Sequence, residues 1–238
     1  MQEKTTIVAA NANIHGTKSK VLRVNAANSI PIRLEEEELE DVDRFTYLGS
    51  VMDVKGGTDA DVKARIGKAR IAFLQLGKVW SSKDLSLSTK IRLFNTSVKS
   101  VLLYGAETWR TTVSTIKKIQ TFINGCLRRI LRIRWPNVIT NEELWERTRQ
   151  PRVEQEIQQR RWRWIGHTLR RPTSSTTRQA LTWNPQGERN RGRPRNTWRR
   201  DLETDYTKMG FTWSQLENLA QDRDGWRTLV CGLCPIVG

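Results

Sequence analysis

Val62, Ile66, Ala69, Phe73, Leu76 and Trp80 follow one another at steps of four, three, four, three and four. Only an α-helix lines up such positions on one face. The pattern recurs twice. Ile91, Phe94, Val98, Val101 and Gly105 form a second stripe, widened by Leu102, Leu103 and Tyr104. Val113, Ile116, Ile119, Ile123, Cys126, Ile130 and Ile133 form a third, with Trp135-Pro136 as its stop. The first helix opens at Thr58, with Asp61 three residues on, and the second opens at Ser86 or Ser88. Three such stripes on short connections predict a three-helix bundle over 58–136.

The flanks read differently. Thr5–Ala10, Lys20–Val24 and Ile30–Leu34 are β-rich pieces bounded by Asn, Gly and Pro, and Ile30, Ile32 and Leu34 alternate. Glu35–Asp41 reads as a solvated acidic turn. Val42–Val51 reads as a strand or hairpin turning at Gly49. Downstream, Thr140-x-x-Glu143 is a capping box for a fourth helix, and Pro151 suits the first turn of a fifth carrying Val153, Ile157, Trp164, Ile165 and Leu169. Pro172–Thr177 reads as a loop. Asn196 caps a helix to Met209, stopped by Gly210, and Thr212-x-x-Gln215 opens one more, with Leu216, Leu219 and Trp226 facing in. The expected fold is mainly α. A small N-terminal antiparallel β piece (1–57) precedes the bundle (58–136) and a basic helical extension (137–238).

Charge narrows the partner. The 238 residues hold 41 Lys and Arg against 25 Asp and Glu, a net +16. Residues 127–200 hold 19 basic residues, all Arg, against 6 acidic ones, and 6 of the 10 Trp. Arg offers a planar fork for phosphate and a face for stacking. Such a block suits a polyanion, with nucleic acid as first partner and an anionic membrane surface as competitor. No apolar run approaches a membrane span, the longest being Val101–Ala106, and the N-terminus lacks a signal-peptide core. An odd count of 3 Cys argues against a disulfide framework. The expectation is an intracellular protein, cytoplasmic or nuclear.

The candidate contacts follow from that block. Arg160, Arg161, Arg163 and Arg170 flank Trp162, Trp164 and His167 on one predicted helix, and Arg160, Arg163 and His167 share a face. Arg128, Arg129 and Arg199 join them as phosphate contacts. Arg189, Arg191, Arg193 and Arg195 lie in a Gly/Pro loop, where Arg-Gly-Arg-Pro also matches the core of an AT-hook. A general phosphate-binding loop is favoured over A·T reading, and a flexible solubilising loop stays open as a third reading. Cys231-Gly-Leu-Cys234 has zinc-knuckle spacing without a second ligand pair, and Cys126 falls on an apolar helix face, so no metal site is expected. The sequence holds no phosphate-binding glycine fingerprint and no Ser/His/Asp set, and no catalytic residue is assigned.

Several stretches occur in an order that carries a resemblance. They are Glu3-Lys4-Thr5, Phe45-Thr-Tyr-Leu-Gly-Ser50, Lys90-Ile-Arg-Leu-Phe94, Val101-Leu-Leu-Tyr-Gly-Ala-Glu-Thr-Trp109 and Cys126-Leu-Arg-Arg-Ile-Leu131. Arg160-Arg-Trp-Arg-Trp-Ile-Gly-His167, Arg191-Gly-Arg-Pro194 and Thr197-Trp-Arg-Arg200 complete the series. From about residue 3 to about residue 227 the chain resembles the C-terminal part of non-LTR retrotransposon reverse transcriptases, closest to the RTE-like endonuclease/reverse transcriptases. The resemblance implies that Phe45, Tyr47, Leu48 and Gly49 form a primer-grip-like hairpin, that the three helices form a thumb, and that the Arg/Trp block is the C-terminal extension.

The same family polymerises DNA with an aromatic-x-Asp-Asp motif and a third Asp that hold two Mg²⁺ ions. This sequence has no adjacent Asp pair, and Asp41-Val-Asp43 has the wrong spacing. The expectation is therefore a nucleic-acid-binding piece without polymerase chemistry of its own. Its partner would be RNA or DNA, as template–primer duplex or element RNA, and Mg²⁺ would be needed only in a full-length parent. Two other readings stay open: a protein- or membrane-interaction module using the same Arg/Trp block, and an element remnant without a selected role.

Overall fold

The computed structural model describes residues 19–23, 30–34, 37–54, 56–182 and 197–232. The fold is mainly α, with a small N-terminal β region followed by helices. The chain divides into two compact units, 1–64 and 65–238. The expected division at 136/137 falls inside the second unit. The first holds 8 basic against 11 acidic residues, net −3, and the second 33 against 14, net +19.

In the first unit, β1 (Lys20–Val21) runs parallel to β4 (Glu40–Asp41), and β2 (Arg33–Leu34) antiparallel to β3 (Glu37–Glu38). Of the stretch Glu35–Asp41 expected as a turn, Glu37–Glu38 and Glu40–Asp41 are strands, and Glu35 and Glu36 lie outside the described residues. Cations face the acids of β4, with Lys20 Nζ 2.8 Å from Glu40 and Arg23 Nε 2.9 Å from Asp41. The parallel pair also departs from the antiparallel expectation.

β5 (Arg44–Tyr47) and β6 (Ser50–Asp53) form the expected hairpin, pairing Phe45 with Met52 and Tyr47 with Ser50. Leu48 (φ 48°) and Gly49 (φ 80°) make its two-residue turn. Both residues are left-handed, as the twist of a tight hairpin demands, and Gly49 adopts that conformation without steric cost. Asp61, at the start of helix α1 (Asp59–Gln75), accepts a 3.0 Å bond from Val51 N and ties helix to hairpin.

In the second unit, α1 ends at Gln75, and α2 (Gly77–Ser81) follows after a break at Leu76, where one helix was expected. Trp80 folds back on Phe73: their rings stack 5.1 Å apart, and the indole N–H donates to the Phe73 carbonyl at 2.8 Å. Ser86 caps α3 (Leu87–Leu93), which runs through a π-helical turn (Phe94–Lys99) into α4 (Ser100–Leu102). Phe94, Val98, Leu102 and Leu103 are fully buried.

Gly105 turns the chain at φ 75° into the 3-10 turn Ala106–Thr108. Thr112 then caps α5 (Val113–Ile130), whose buried stripe includes Ile119, Ile123, Cys126, Leu127 and Ile130. Val113 is exposed, and Ile133 lies beyond the end of α5, which stops at Leu131 as Arg132 turns left-handed (φ 57°). The stop thus precedes Trp135-Pro136.

Thr140 caps α6 (Asn141–Thr148) by accepting from Glu143 N. Pro151 lies just outside α7 (Val153–Leu169), whose N-cap is Arg152. The stretch read as a loop reaches into α8 (Thr176–Thr182). Asn196 lies outside the described residues, and Thr197 caps α9 (Trp198–Lys208). The Thr212–Gln215 capping box opens α10 (Trp213–Leu219), and Trp226 belongs to a separate helix, α11 (Arg223–Gly232). Trp162, Ile165, Leu169, Leu202, Leu216 and Trp226 pack into the core between α7 and these last helices.

Candidate nucleic-acid interface

The predicted Arg residues separate into three groups. Arg163 and His167 point into solvent from one side of α7. Arg160 sits beside them, half-buried and 3.1 Å from Glu156 one turn earlier. These three form the expected basic face. Arg129 is exposed on α5 and lines a groove of about 550 Å³ between α1 and α5, together with Arg70 and Lys118 above an apolar floor of Ile66, Phe73, Leu74 and Phe122. Arg70 and Lys118 were not singled out from sequence, because their blocks carry little charge excess.

A second group serves the backbone. Arg128 is half-buried and donates to the Ile139 carbonyl and, at 2.8 Å, to Asn141 Oδ1. Arg170 donates to the Ala220 carbonyl at 2.9 Å, closing the C-terminus of α10. Partial burial and the nearby Arg223 lower the pKa of its guanidinium. Arg199 is exposed and reaches the Thr182 carbonyl at 3.1 Å.

Arg161 corrects the sequence reading. It is 2% exposed and cannot meet a phosphate at the surface. It donates to the Trp109 carbonyl at 2.8 Å and approaches Asp205 at 3.5 Å and Asp201 at 4.0 Å. Asp201 in turn accepts from Thr111 N and Oγ1 at 2.9 and 3.0 Å. Burial lowers the Arg161 guanidinium pKa and raises that of the Asp205 carboxyl, each opposed by the charge of the other. Trp198 Nε1 donates to the Glu107 carbonyl nearby, and the Trp164 and Trp198 rings meet edge to face at 6.1 Å.

Three of the sequence stretches singled out above, 101–109, 160–167 and 197–200, therefore converge on one buried polar node. Spacing held the signal that was missed. Arg161 lies four residues after Ile157 and four before Ile165, on the apolar stripe of its helix. Lys99 is a second buried cation, held by Gln150 Oε1 at 2.9 Å and by Glu156. Gly166 has its own reason. A Cβ there would lie 2.0 Å from Nε1 of Trp226, whose indole donates to the Trp162 carbonyl.

The other candidates lie apart. In the first unit, Phe45 is half-buried, while Tyr47 and Leu48 are exposed at the hairpin tip beside Gly49. Arg189, Arg191, Arg193 and Arg195 lie outside the described residues. Cys126 is buried as expected, and desolvation pushes its thiol up to about 12. Cys231 is exposed, and Cys234 lies outside the described residues. Among the described residues, no three His, Cys, Asp or Glu side chains gather as a metal site. No helix among them is long and apolar enough to cross a membrane.

Residues 72–104 match a family model described as a domain of unknown function, DUF6451. The chain is 24% identical over 235 residues to a Caenorhabditis elegans protein named as transposon-derived, covering 91% of this chain and 82% of that protein. This distant likeness is consistent with an origin in a transposable element. No solved structure matches.

Proposed function

We propose that this chain is a nucleic-acid-binding part of a retrotransposon reverse transcriptase, without the polymerase's catalytic Asp motif, that holds template–primer or element RNA through Arg side chains. The observation that carries it is the charge of residues 65–238, net +19, with Arg129, Arg163 and His167 exposed on helices. The ordered motif series and the transposon-derived relative support the same origin. The mechanism is electrostatic. Each Arg that neutralises a phosphate releases a condensed counterion, so affinity falls steeply with salt. The hairpin of Tyr47, Leu48 and Gly49 would lie toward a primer end in a full-length parent.

Equilibrium binding of the chain to a labelled primer–template across a salt series tests this. A steep log–log slope that becomes shallower by about one for Arg163→Ala supports the reading. Arg161→Ala is unsuitable here because that side chain is internal. A flat salt response, or stronger capture by anionic vesicles, would favour the interaction-module reading. Against a membrane surface stands the placement of Trp135, the most exposed of the described tryptophans, on a loop rather than on an amphipathic helix.

A further inference from the structure

Nine tryptophans fall among the described residues, and eight of them are buried or partly buried. Trp135 alone stands in solvent, 87% exposed. A loose loop would account for that, but this loop is fastened at both ends. At its start, Ile133 N donates to the Arg128 carbonyl at 2.9 Å, and Arg132 reaches the carbonyls of Ser81 and Ser82. At its end, Arg128 holds the Ile139 carbonyl and Asn141 Oδ1, and Asn124 Nδ2 donates to that same oxygen at 3.0 Å. Arg134, next in sequence, is exposed and has no ion pair among the described residues. The loop thus presents an exposed indole and, at the preceding residue, an exposed guanidinium from a backbone whose two ends are held in place, so less backbone ordering is lost on binding.

We infer that Trp135 is a stacking platform for an unpaired nucleobase, with Arg134 on the adjoining phosphate. This rests on the nucleic-acid reading above and adds to it a preference for single-stranded segments. A duplex keeps its base faces stacked on one another, whereas a single strand offers them to an aromatic ring.

The test uses the full chain with two labelled probes of equal length, an oligouridine single strand and a blunt RNA duplex, and phosphatidylserine vesicles as a third. Trp135→Ala should weaken the single strand about tenfold and leave the duplex unchanged, while Trp135→Phe keeps most of the affinity. Arg163→Ala should weaken both probes. The side chain of Trp135 is outside the core, so unfolding is not the expected cause of any loss. If Trp135→Ala changes neither probe, or both equally, the stacking assignment fails and the nucleic-acid reading survives. If the wild-type chain binds neither probe at low salt, both fail. Vesicle binding that outcompetes the single strand and is lost in Trp135→Ala would overturn the base in favour of lipid.

Discussion

In residues 1–64 the described strands are two to four residues long, and Leu34 and Val62 are the apolar side chains buried among the described residues. The Lys20–Glu40 pair lies open to water, with side chains 43% and 65% exposed. Residues 65–238 close helices around Phe94, Ile119, Trp162 and Leu216, and they place Arg161 and Lys99 inside. An exposed pair contributes about 0–1 kcal/mol, because water screens it and ordering two long side chains costs entropy. A buried cation whose neighbours were built around it cannot be removed so cheaply. The same type of bond is therefore nearly neutral in one unit and structural in the other.

The strongest way to break this contrast is Arg161→Ala. It removes the cation beside Asp205 and Asp201 and the donor to the Trp109 carbonyl, and should destabilise the second unit by about 3–5 kcal/mol in urea unfolding followed by Trp fluorescence. Lys20→Ala in the same assay should change stability by under about 1 kcal/mol. Equal effects would erase the distinction.

Gly166→Ala comes next. The new methyl must displace the Trp226 ring, at about 1–3 kcal/mol, and near-ultraviolet dichroism should report the disturbed Trp162–Trp226 pair.

Alkali sharpens the contrast through one thiol. The folded state holds the Cys126 proton up to about pH 12, whereas the unfolded chain releases it near the ordinary thiol value of 9.0. The folded state then binds more protons, so stability is intact below pH 9 and drains as pH climbs from 9 toward 12. Relative to Cys126→Ala, the wild type should lose about 1.4 kcal/mol per pH unit across that window.

Asp61→Ala acts within the first unit. Losing the acceptor for Val51 N should cost about 1 kcal/mol and show as faster amide exchange at Val51. The smallest expected change is Arg163→Ala, within about 0.5 kcal/mol of wild-type stability although it weakens binding.

Periodicity made the helices legible because burial and helical repeat coincide in their middles, as at Ile119, Ile123 and Cys126. It failed at their ends. Val113 is exposed at the first turn of α5, and Ile133 follows a left-handed Arg132 that no apolar pattern announces. The hairpin was legible because Gly49 is nearly obligatory in such a turn, and Leu48 joins it there. Of the candidate contacts, Arg163 and His167 sit where the helix face put them. Arg128, Arg161 and Arg170 do not, because charge counting treats every guanidinium as a surface group. Tertiary carbonyls decided otherwise, and only the Ile157–Arg161–Ile165 spacing hinted at it.

The node at Arg161 also bears on how the chain is made. Thr111 waits for Asp201, 90 residues on, and the Glu107 carbonyl for Trp198, 91 residues on. During synthesis, helices α1 to α7 emerge from the ribosome well before the node can close. Until α9 follows, the Glu107 carbonyl and the side of the Arg161 guanidinium that meets Asp201 and Asp205 must be hydrated, and that part of the unit cannot reach its final packing. A premature stop codon anywhere upstream of residue 201 leaves the nascent chain without its last clasp, even though most of its helices have been translated.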